Sequence, residues 1–351
     1  MAHKKRIVFG GVDTHGRTHH AAAVDEVGRV LGDHEFPATA DGYIALLNWL
    51  RTFGRLAKVG VEGTGTYGAG LARHLATQDV TVVEVDRPNR RTRRAKGKSD
   101  PIDAVSAARA AASGEAAGTP KTRTGPVEAI RALRVARRGA VKARTAALNQ
   151  LHCLITSAPE SLRGELQGLK GAALVDHCAA MTADDKQLTD PVQATRAALC
   201  AVACRVQGFD AEVAVADRRL ARLVGKVAPR TSAIFGVGPE VAGQLLTTAG
   251  DNPDRLRSPA ALAHLCGAAP IPASSGRTNR HRLNRGGDRA ANNALYTIVM
   301  CRLRYDARTR DYFQRRTKEG RTGKEIIRCL KTYVVREVYT ALLADFAALT
   351  S

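Results

Sequence analysis

Hydrophobic and polar positions in the first third of the chain alternate between strand-like and helix-like patterns. Apolar runs typical of strands cover residues 6–13, 19–25, 30–36, 58–62 and 81–85. Apolar positions at helical spacing cover residues 40–53, and a second helix is expected to run through His74. Three consecutive strands followed by alternating helix and strand predict a mixed α/β sheet of the ribonuclease H type.

The pattern changes near residue 120, where strand-like runs end and long helical periodicity begins. Two stretches, residues 127–155 and about residues 192–224, place apolar residues at helical spacing opposite a basic face. We interpret them as a coiled-coil-like spacer that binds nucleic acid or a sister subunit. A plain helical bundle with a solvated basic face explains this pattern equally well.

The last third begins with the residues GVG at 236–238 and an amphipathic helix, which resemble half of a helix-hairpin-helix. A Gly/Ser/Arg-rich loop then leads into a helix from about Asp288, and two further basic helices follow. The stretch from Arg302 to Arg336 contains twelve basic residues and four acidic ones, and this excess of positive charge favours phosphate binding. We divide the chain into an α/β domain (1–118), a helical middle region (119–228) and a mainly α-helical C-terminal domain (229–351).

The charge and the aromatic content of the chain indicate which kind of partner it binds. The formal net charge is +21, which is typical of proteins that bind phosphate backbones. Aromatic residues make up 4%, which argues against a single-strand binder built on base-stacking platforms. The seven cysteines form no CxxC pair or complete zinc pattern. Since no secretory leader or membrane-spanning run is visible, we expect a cytoplasmic, nucleoid-associated protein with no membrane partner.

Four acids are candidates for metal-dependent chemistry. Asp13 and Glu62 each end an apolar strand, while Asp100 and Asp103 lie three residues apart on one helix face. Acids gathered in a basic protein make sense if they hold Mg²⁺ or Mn²⁺ against phosphates. Taken locally, Asp100 as N-cap and Asp103 near the helix dipole are better explained as capping residues. The pairing with Asp13 and Glu62 reverses that preference.

Two serines and two basic clusters are further candidates. A serine such as Ser274 or Ser275, surrounded by guanidinium groups, can attack phosphorus. The local spacing alone favours a Ser-Gly turn in a phosphate-binding loop. The residues expected to bind nucleic acid are Arg90, Arg91, Arg93, Arg94, Lys96, Lys98, Arg277, Arg280, Arg282, Arg285 and Arg289.

The order of four motifs carries a family resemblance. VDTH, VGVEGTGTYG, KSDPIDA and GAAPIPASSGRT–RHRLNRGGDR together resemble the DEDD transposases of the one-ten insertion-sequence family, relatives of Piv-type invertases. The resemblance implies a RuvC-like catalytic domain, a coiled-coil region and a C-terminal transposase domain. It also implies a metal-binding tetrad and a nucleophilic serine that follows a G-x-x-P motif. Those positions are Asp13, Glu62, Asp100 and Asp103 for the tetrad and Ser275, in preference to Ser274, for the serine.

The resemblance further implies an RNA-guided DNA recombinase whose partners are donor DNA, target DNA and a guide RNA from the element. It implies a homo-oligomer, a dimer assembling to a tetramer, whose working site combines acids and serine from different chains. Three alternatives stay open. They are a RuvC-like nuclease that hydrolyses branched DNA without the serine, a sugar-kinase-like ATPase suggested by GGVDTHG, and a non-catalytic RNA-binding scaffold.

Overall fold

The computed structural model describes residues 6–85, 99–277 and 281–350. The chain divides into two compact units, one of residues 1–125 with 249–257 and one of residues 126–248 with 258–351. The division at residues 118 and 228 drawn from composition stays a prediction. No helix in the described part of the chain is both long and apolar enough to cross a membrane.

The first unit is built on a five-stranded mixed sheet. Its strands are β1 (Ile7–Thr14), β2 (Thr18–Asp25), β3 (Val30–Pro37), β4 (Arg55–Glu62) and β5 (Val82–Val85). The spatial order is β3–β2–β1–β4–β5, with β1, β2 and β3 antiparallel and β1, β4 and β5 parallel. The described helices of this unit are α1 (Ala40–Thr52), α2 (Ala69–Thr77) and α3 (Asp100–Ser113). The predicted ribonuclease H-type domain is therefore confirmed.

Two adjacent glycines in β1 show which helix covers each face of the sheet. A Cβ atom added at Gly10 would meet the side chain of Leu50 in α1, at 2.9 Å. One added at Gly11 would meet the backbone of Ala104 and Ala108 in α3. Because successive strand residues point to opposite faces, α1 and α3 lie on opposite sides of the sheet.

The second unit is largely helical. Its helices are α4 (Pro126–Thr156), α5 (Glu160–Glu165), α6 (Gly171–Ala179), α7 (Pro191–Val227), α8 (Pro229–Ser232), α9 (Pro239–Ala249), α10 (Pro259–Leu265), α11 (Arg289–Tyr305), α12 (Ala307–Lys318) and α13 (Gly323–Thr350). Two short strands, β6 (Ile271–Pro272) and β7 (His281–Arg282), pair within the Gly/Ser/Arg-rich segment. Helices α5 and α6 and this ladder were not predicted from the sequence, since two-residue strands are too short to show alternation.

The two long helices of the second unit, α4 and α7, run antiparallel. Arg137 pairs with Asp217, and two helical turns further along Arg144 pairs with Asp210. At the far end of the pair, an apolar cluster that includes Leu151 joins α4 and α6 to α7. The basic, amphipathic stretches of the sequence thus become two long helices that lie side by side.

Candidate active site

Two acids meet at one edge of the sheet, where the parallel strands β1 and β4 end. The register pairs Val12 with Val61, so Asp13 and Glu62 are neighbours on adjacent strands. Gly11 in β1, and Gly60 in β4, face α3, since a Cβ atom at either would strike its backbone. Side chains two residues further along a strand share the same face. Asp13 and Glu62 are therefore placed on the face that α3 covers.

The first turn of α3 brings two more acids to that face. The structure places Ser99, rather than Asp100, at the N-cap position, and Pro101 follows in the first turn. Asp100 and Asp103 both lie in this turn, where the partial positive charge of the helix N-terminus favours carboxylates. Asp103 is buried. The start of α3 thus has two features: Ser99 occupies the cap position, and Asp100 and Asp103 lie at the edge of the sheet.

Three side chains come within the distance that one cation could bridge. Ligand atoms of Asp13, His15 and Asp100 all lie within 4.8 Å of one another. His15 Nε2 is 3.2 Å from Asp13 Oδ2 and 3.4 Å from Asp100 Oδ1. Two carboxylates and an imidazole form a donor set that suits a divalent metal. Asp13 is buried and the other two side chains are partly exposed, so the group remains open to a phosphate from solvent.

The electrostatics of Asp13 support the same interpretation. Burial raises the pKa of this carboxyl, and the nearby charges of Asp100 and Asp103 raise it further, whereas His15 lowers it. Crowded carboxylates resist ionisation because their negative charges repel. A divalent cation would remove that repulsion, so the residues fit the metal that the sequence predicts.

Glu62 and His15 mark the limits of the prediction. The Thr14 hydroxyl donates to the Glu62 carbonyl oxygen at 2.9 Å and ties β1 to β4 at the site. The Glu62 carboxylate is not part of the three-residue ligand group. His15 was not among the site residues predicted from the sequence, although the VDTH motif places it two residues after Asp13. The assignment of all four acids to one metal site stays a prediction.

The predicted nucleophile lies in the second unit, in the segment between β6 and β7. Ser274 and Ser275 are both exposed, and Gly276 has a positive φ of 55°. A left-handed glycine after a serine forms a tight turn, as the spacing predicted. Four predicted basic residues of this region are exposed as well: Arg277, Arg282, Arg285 and Arg289. The remaining ones, Arg90, Arg91, Arg93, Arg94, Lys96, Lys98 and Arg280, lie outside the described residues.

A cavity of about 690 Å³ lies beside the G-x-x-P motif at 267–270. Its lining contains seven arginine or lysine side chains and a single acid, Glu325. The cationic residues are Arg282, Arg285, Arg289, Arg316, Arg321, Arg328 and Lys331. So much positive charge around one cavity favours an anionic occupant such as a phosphate group.

Lys331 is the buried member of that cationic set. Its Nζ donates to Asn292 Oδ1 at 2.9 Å, and Asn292 Nδ2 donates to the carbonyl oxygens of Cys266 and Gly267. Burial and the charge of Arg328 lower the pKa of Lys331. The lysine thus supports the G-x-x-P motif through Asn292. In the sequence Lys331 was one basic residue among twelve, and no local pattern singled it out.

A mixed sheet in the order β3–β2–β1–β4–β5, with acids where β1 and β4 end, defines a ribonuclease H-type enzyme of nucleic-acid chemistry. Family models agree with that class. One described as DEDD_Tnp_IS110, Transposase, matches residues 10–158, and one described as Transposase IS116/IS110/IS902 family matches residues 228–314. The chain belongs to the IS110 family of transposases. No curated protein matches the chain.

Membership of this family tests the predicted activity, the predicted DNA partner and the predicted metal. The protein is a DNA transposase or recombinase, and DNA is its partner. The predicted resemblance is confirmed, and the ATPase and the non-catalytic scaffold are set aside. Together with the group of Asp13, His15 and Asp100, the DEDD family indicates a divalent metal.

Proposed function

We propose that this transposase is an RNA-guided, site-specific DNA recombinase of an insertion sequence that uses a serine nucleophile and an acid tetrad. The observation that carries the proposal is the convergence of Asp13, His15 and Asp100 within 4.8 Å at the edge of a ribonuclease H-type sheet. In a transposase, such a group belongs beside the phosphate that is cut. The predicted serine lies in an arginine-rich loop of the same chain.

The acids act as ligands in this proposal. Asp13, Glu62, Asp100 and Asp103 would hold Mg²⁺, or Mn²⁺ in its place. When bound, the cation supplies positive charge against the phosphate oxygens and polarises the phosphodiester. His15 lies between Asp13 and Asp100, where its Nε2 steadies both carboxylates or serves as a further ligand. Burial makes the charged form of Asp13 costly, and a bound cation would offset that cost.

Ser275 performs the covalent step. Its Oγ attacks phosphorus, a P–Oγ bond forms, and the bond from phosphorus to the sugar oxygen breaks. The serine proton passes to the departing sugar hydroxyl, so atoms and charge balance. The guanidinium groups of Arg282 and Arg285 stabilise negative charge on the phosphoryl oxygens. Because one phosphoester replaces another, a second hydroxyl can reverse the step and join strands without ATP.

Guidance comes from RNA that pairs with donor and target DNA. The protein then needs to bind backbones in a sequence-independent manner, and a net charge of +21 suits that task. The cationic cavity beside the G-x-x-P motif is a fitting place for one backbone phosphate. The antiparallel helices α4 and α7 join subunits, a dimer first and then a tetramer, so that acids of one chain can serve with the serine of another.

The test looks for the phosphoserine bond. Purified protein is incubated with Mg²⁺, element-derived RNA and end-labelled donor and target DNA, then denatured and separated by electrophoresis. Wild type and Ser274→Ala should give a labelled protein–DNA adduct, whereas Ser275→Ala and Asp13→Ala should give none. Omission of the RNA should also remove the adduct. Light scattering of the same preparations checks the subunit number.

One alternative is a hydrolytic nuclease that shares the acids but does not use the serine. Free nicked DNA without an adduct, at the same rate in Ser275→Ala, would establish it. An adduct that forms equally well without RNA would reject the guided mechanism and keep the serine chemistry.

A further inference from the structure

A second cavity in the helical unit, of about 1,360 Å³, combines aromatic rings with guanidinium groups. It lies among α11, α12, α13 and the turn at Ile234 and Phe235. The side chains of Phe235 and Tyr333 are 54% and 48% exposed. Among the described residues, four aromatic side chains are at least 48% exposed, and two of the four line this one cavity. Exposed rings that gather at one place indicate a binding surface.

The ring of Tyr333 is held in position by the neighbouring ring of Tyr312. The Tyr312 and Tyr333 rings meet edge to face, with centroids 5.7 Å apart and an angle of 85°. Burial and a hydrogen bond between the two phenols raise the pKa of Tyr312 to about 12, so Tyr312 stays neutral. Such a pair fixes a ring while part of its face stays open.

Phe235 is fixed through its backbone. Its carbonyl oxygen accepts a hydrogen bond from Arg302 Nε at 3.0 Å, and Gly236 follows with a φ of 89°. Arg302 is in turn paired with both carboxylate oxygens of Glu337, at 3.0 and 2.7 Å. The exposed phenyl ring therefore projects from a turn that a two-point ion pair steadies.

Cations surround these rings. Three exposed arginines line the cavity, namely Arg308, Arg315 and Arg336. The Arg315 and Arg336 guanidinium carbons lie 5.4 Å and 5.7 Å from the centroids of Tyr312 and Tyr333.

The lining holds three acids against four arginines, and two of the acids are already engaged within the protein. Asp306 accepts hydrogen bonds from the first turn of α12, Glu337 is engaged by Arg302, and Asp311 is the third. Aromatic faces next to guanidinium groups are what a base and its phosphates require.

We propose that this cavity binds unpaired nucleotides of a nucleic-acid strand, with a base stacked on Tyr333 or Phe235 and the flanking phosphates on Arg308, Arg315 and Arg336. Any enzyme that exchanges strands between duplexes must hold bases that have lost their partners. The inference goes beyond the acid and serine chemistry and requires neither. Low overall aromatic content argued against stacking, yet Phe235, Tyr312 and Tyr333 are far apart in sequence and meet only in the fold.

Equilibrium binding to short labelled oligonucleotides tests the site with the full-length protein. Single strands of DNA and of RNA with one sequence are compared with a duplex by fluorescence anisotropy. Tyr333→Ala and Phe235→Ala should each weaken single-strand binding by about 5- to 100-fold and leave duplex binding unchanged. Tyr333→Phe keeps the ring and should bind like wild type. Tyr296→Ala is the matched control, since Tyr296 is 42% exposed and does not line the cavity.

A strand with abasic positions at its centre identifies the contact. Wild type should lose affinity for it, and Tyr333→Ala should not distinguish it from the intact strand. Tighter binding of RNA or of DNA tells which strand the site holds. Three results would overturn the proposal. They are equal losses in Tyr296→Ala, equal losses for duplex and single strand, or unchanged binding in both alanine variants with a changed subunit number, which would make the cavity a subunit contact.

Discussion

The Cβ atom that Gly11 lacks would lie 2.0 Å from the backbone nitrogen of Ala108. Backbone atoms of a helix cannot move aside as a flexible side chain can, so strand β1 and helix α3 touch because residue 11 has no side chain. The same helix carries Asp100 and Asp103 in its first turn. The distance between Asp13 and the helix acids therefore depends on a glycine two residues before Asp13.

Gly11→Ala should displace α3 and destabilise the protein by about 3 kcal/mol or more, at the upper end of overpacking effects. Urea unfolding measures this loss. The matched control is Gly139→Ala in the exposed middle of α4, where a Cβ atom has no neighbour within 4 Å. Alanine favours the helix there and should stabilise it by roughly 0.5–1 kcal/mol. Equal effects of the two substitutions would show that the contact with α3 is unimportant.

Divalent metal should stabilise the folded chain through the acidic group. At a hundredfold excess over its Kd, a ligand of the folded state adds about 2.7 kcal/mol to the free energy of unfolding. Thermal unfolding with Mg²⁺ or Mn²⁺ should show a rise in Tm for wild type, a smaller rise for His15→Ala and none for Asp13→Asn. Asp41→Asn alters an exposed carboxylate of α1 and should behave like wild type. A full rise in Asp13→Asn would place the metal elsewhere.

Without metal, the same acid should cost stability as pH rises. The pKa of Asp13 in the folded chain is raised above its ordinary value of 3.8. At a pH between 3.8 and the raised pKa, the folded chain holds a proton that the unfolded chain has lost. The Asp13 contribution to stability therefore falls as pH rises through that window and does not return at neutral pH. In a chelator, Asp13→Asn should unfold at a higher Tm than wild type above the window and at a similar Tm below it. A lower Tm at neutral pH would contradict the cost inferred from burial of Asp13 and from repulsion by Asp100 and Asp103.

Lys331 should determine anion binding in the cavity beside the G-x-x-P motif. Pyrophosphate should raise the Tm of wild type, and Lys331→Met should lose most of that rise because the buried ammonium group is gone. Lys318→Met removes an exposed lysine that does not line this cavity and should retain the rise. Because burial lowers the pKa of Lys331, affinity for pyrophosphate should fall with rising pH earlier than an ordinary lysine would dictate. An unchanged rise in Lys331→Met would mean that the surrounding arginines suffice.

Local patterns predicted the features that depend on neighbours in sequence. Apolar runs in β1 and β4 placed Asp13 and Glu62 at strand ends, and the helix predicted from about Asp288 begins at Arg289 with Asp288 as its cap. Features that depend on distant contacts escaped prediction. The link from Lys331 to Asn292 spans 39 positions, and nothing near either residue signals it. His15 was visible in its motif, but only the folded sheet edge and the start of α3 bring its ring between two carboxylates.

Helix α7 has 37 residues and therefore measures about 55 Å, close to the length of sixteen base pairs of B-DNA. It lies beside α4, to which the ion pairs of Arg137 with Asp217 and of Arg144 with Asp210 join it. A straight helix of this length would set a fixed distance between its two ends. Whatever binds at its two ends is held at a separation counted in helical turns, and removal of one heptad from each helix would shorten that separation by about 10 Å, or three base pairs, without changing which faces meet. The spacing of sites that the enzyme can join would then be encoded in helix length.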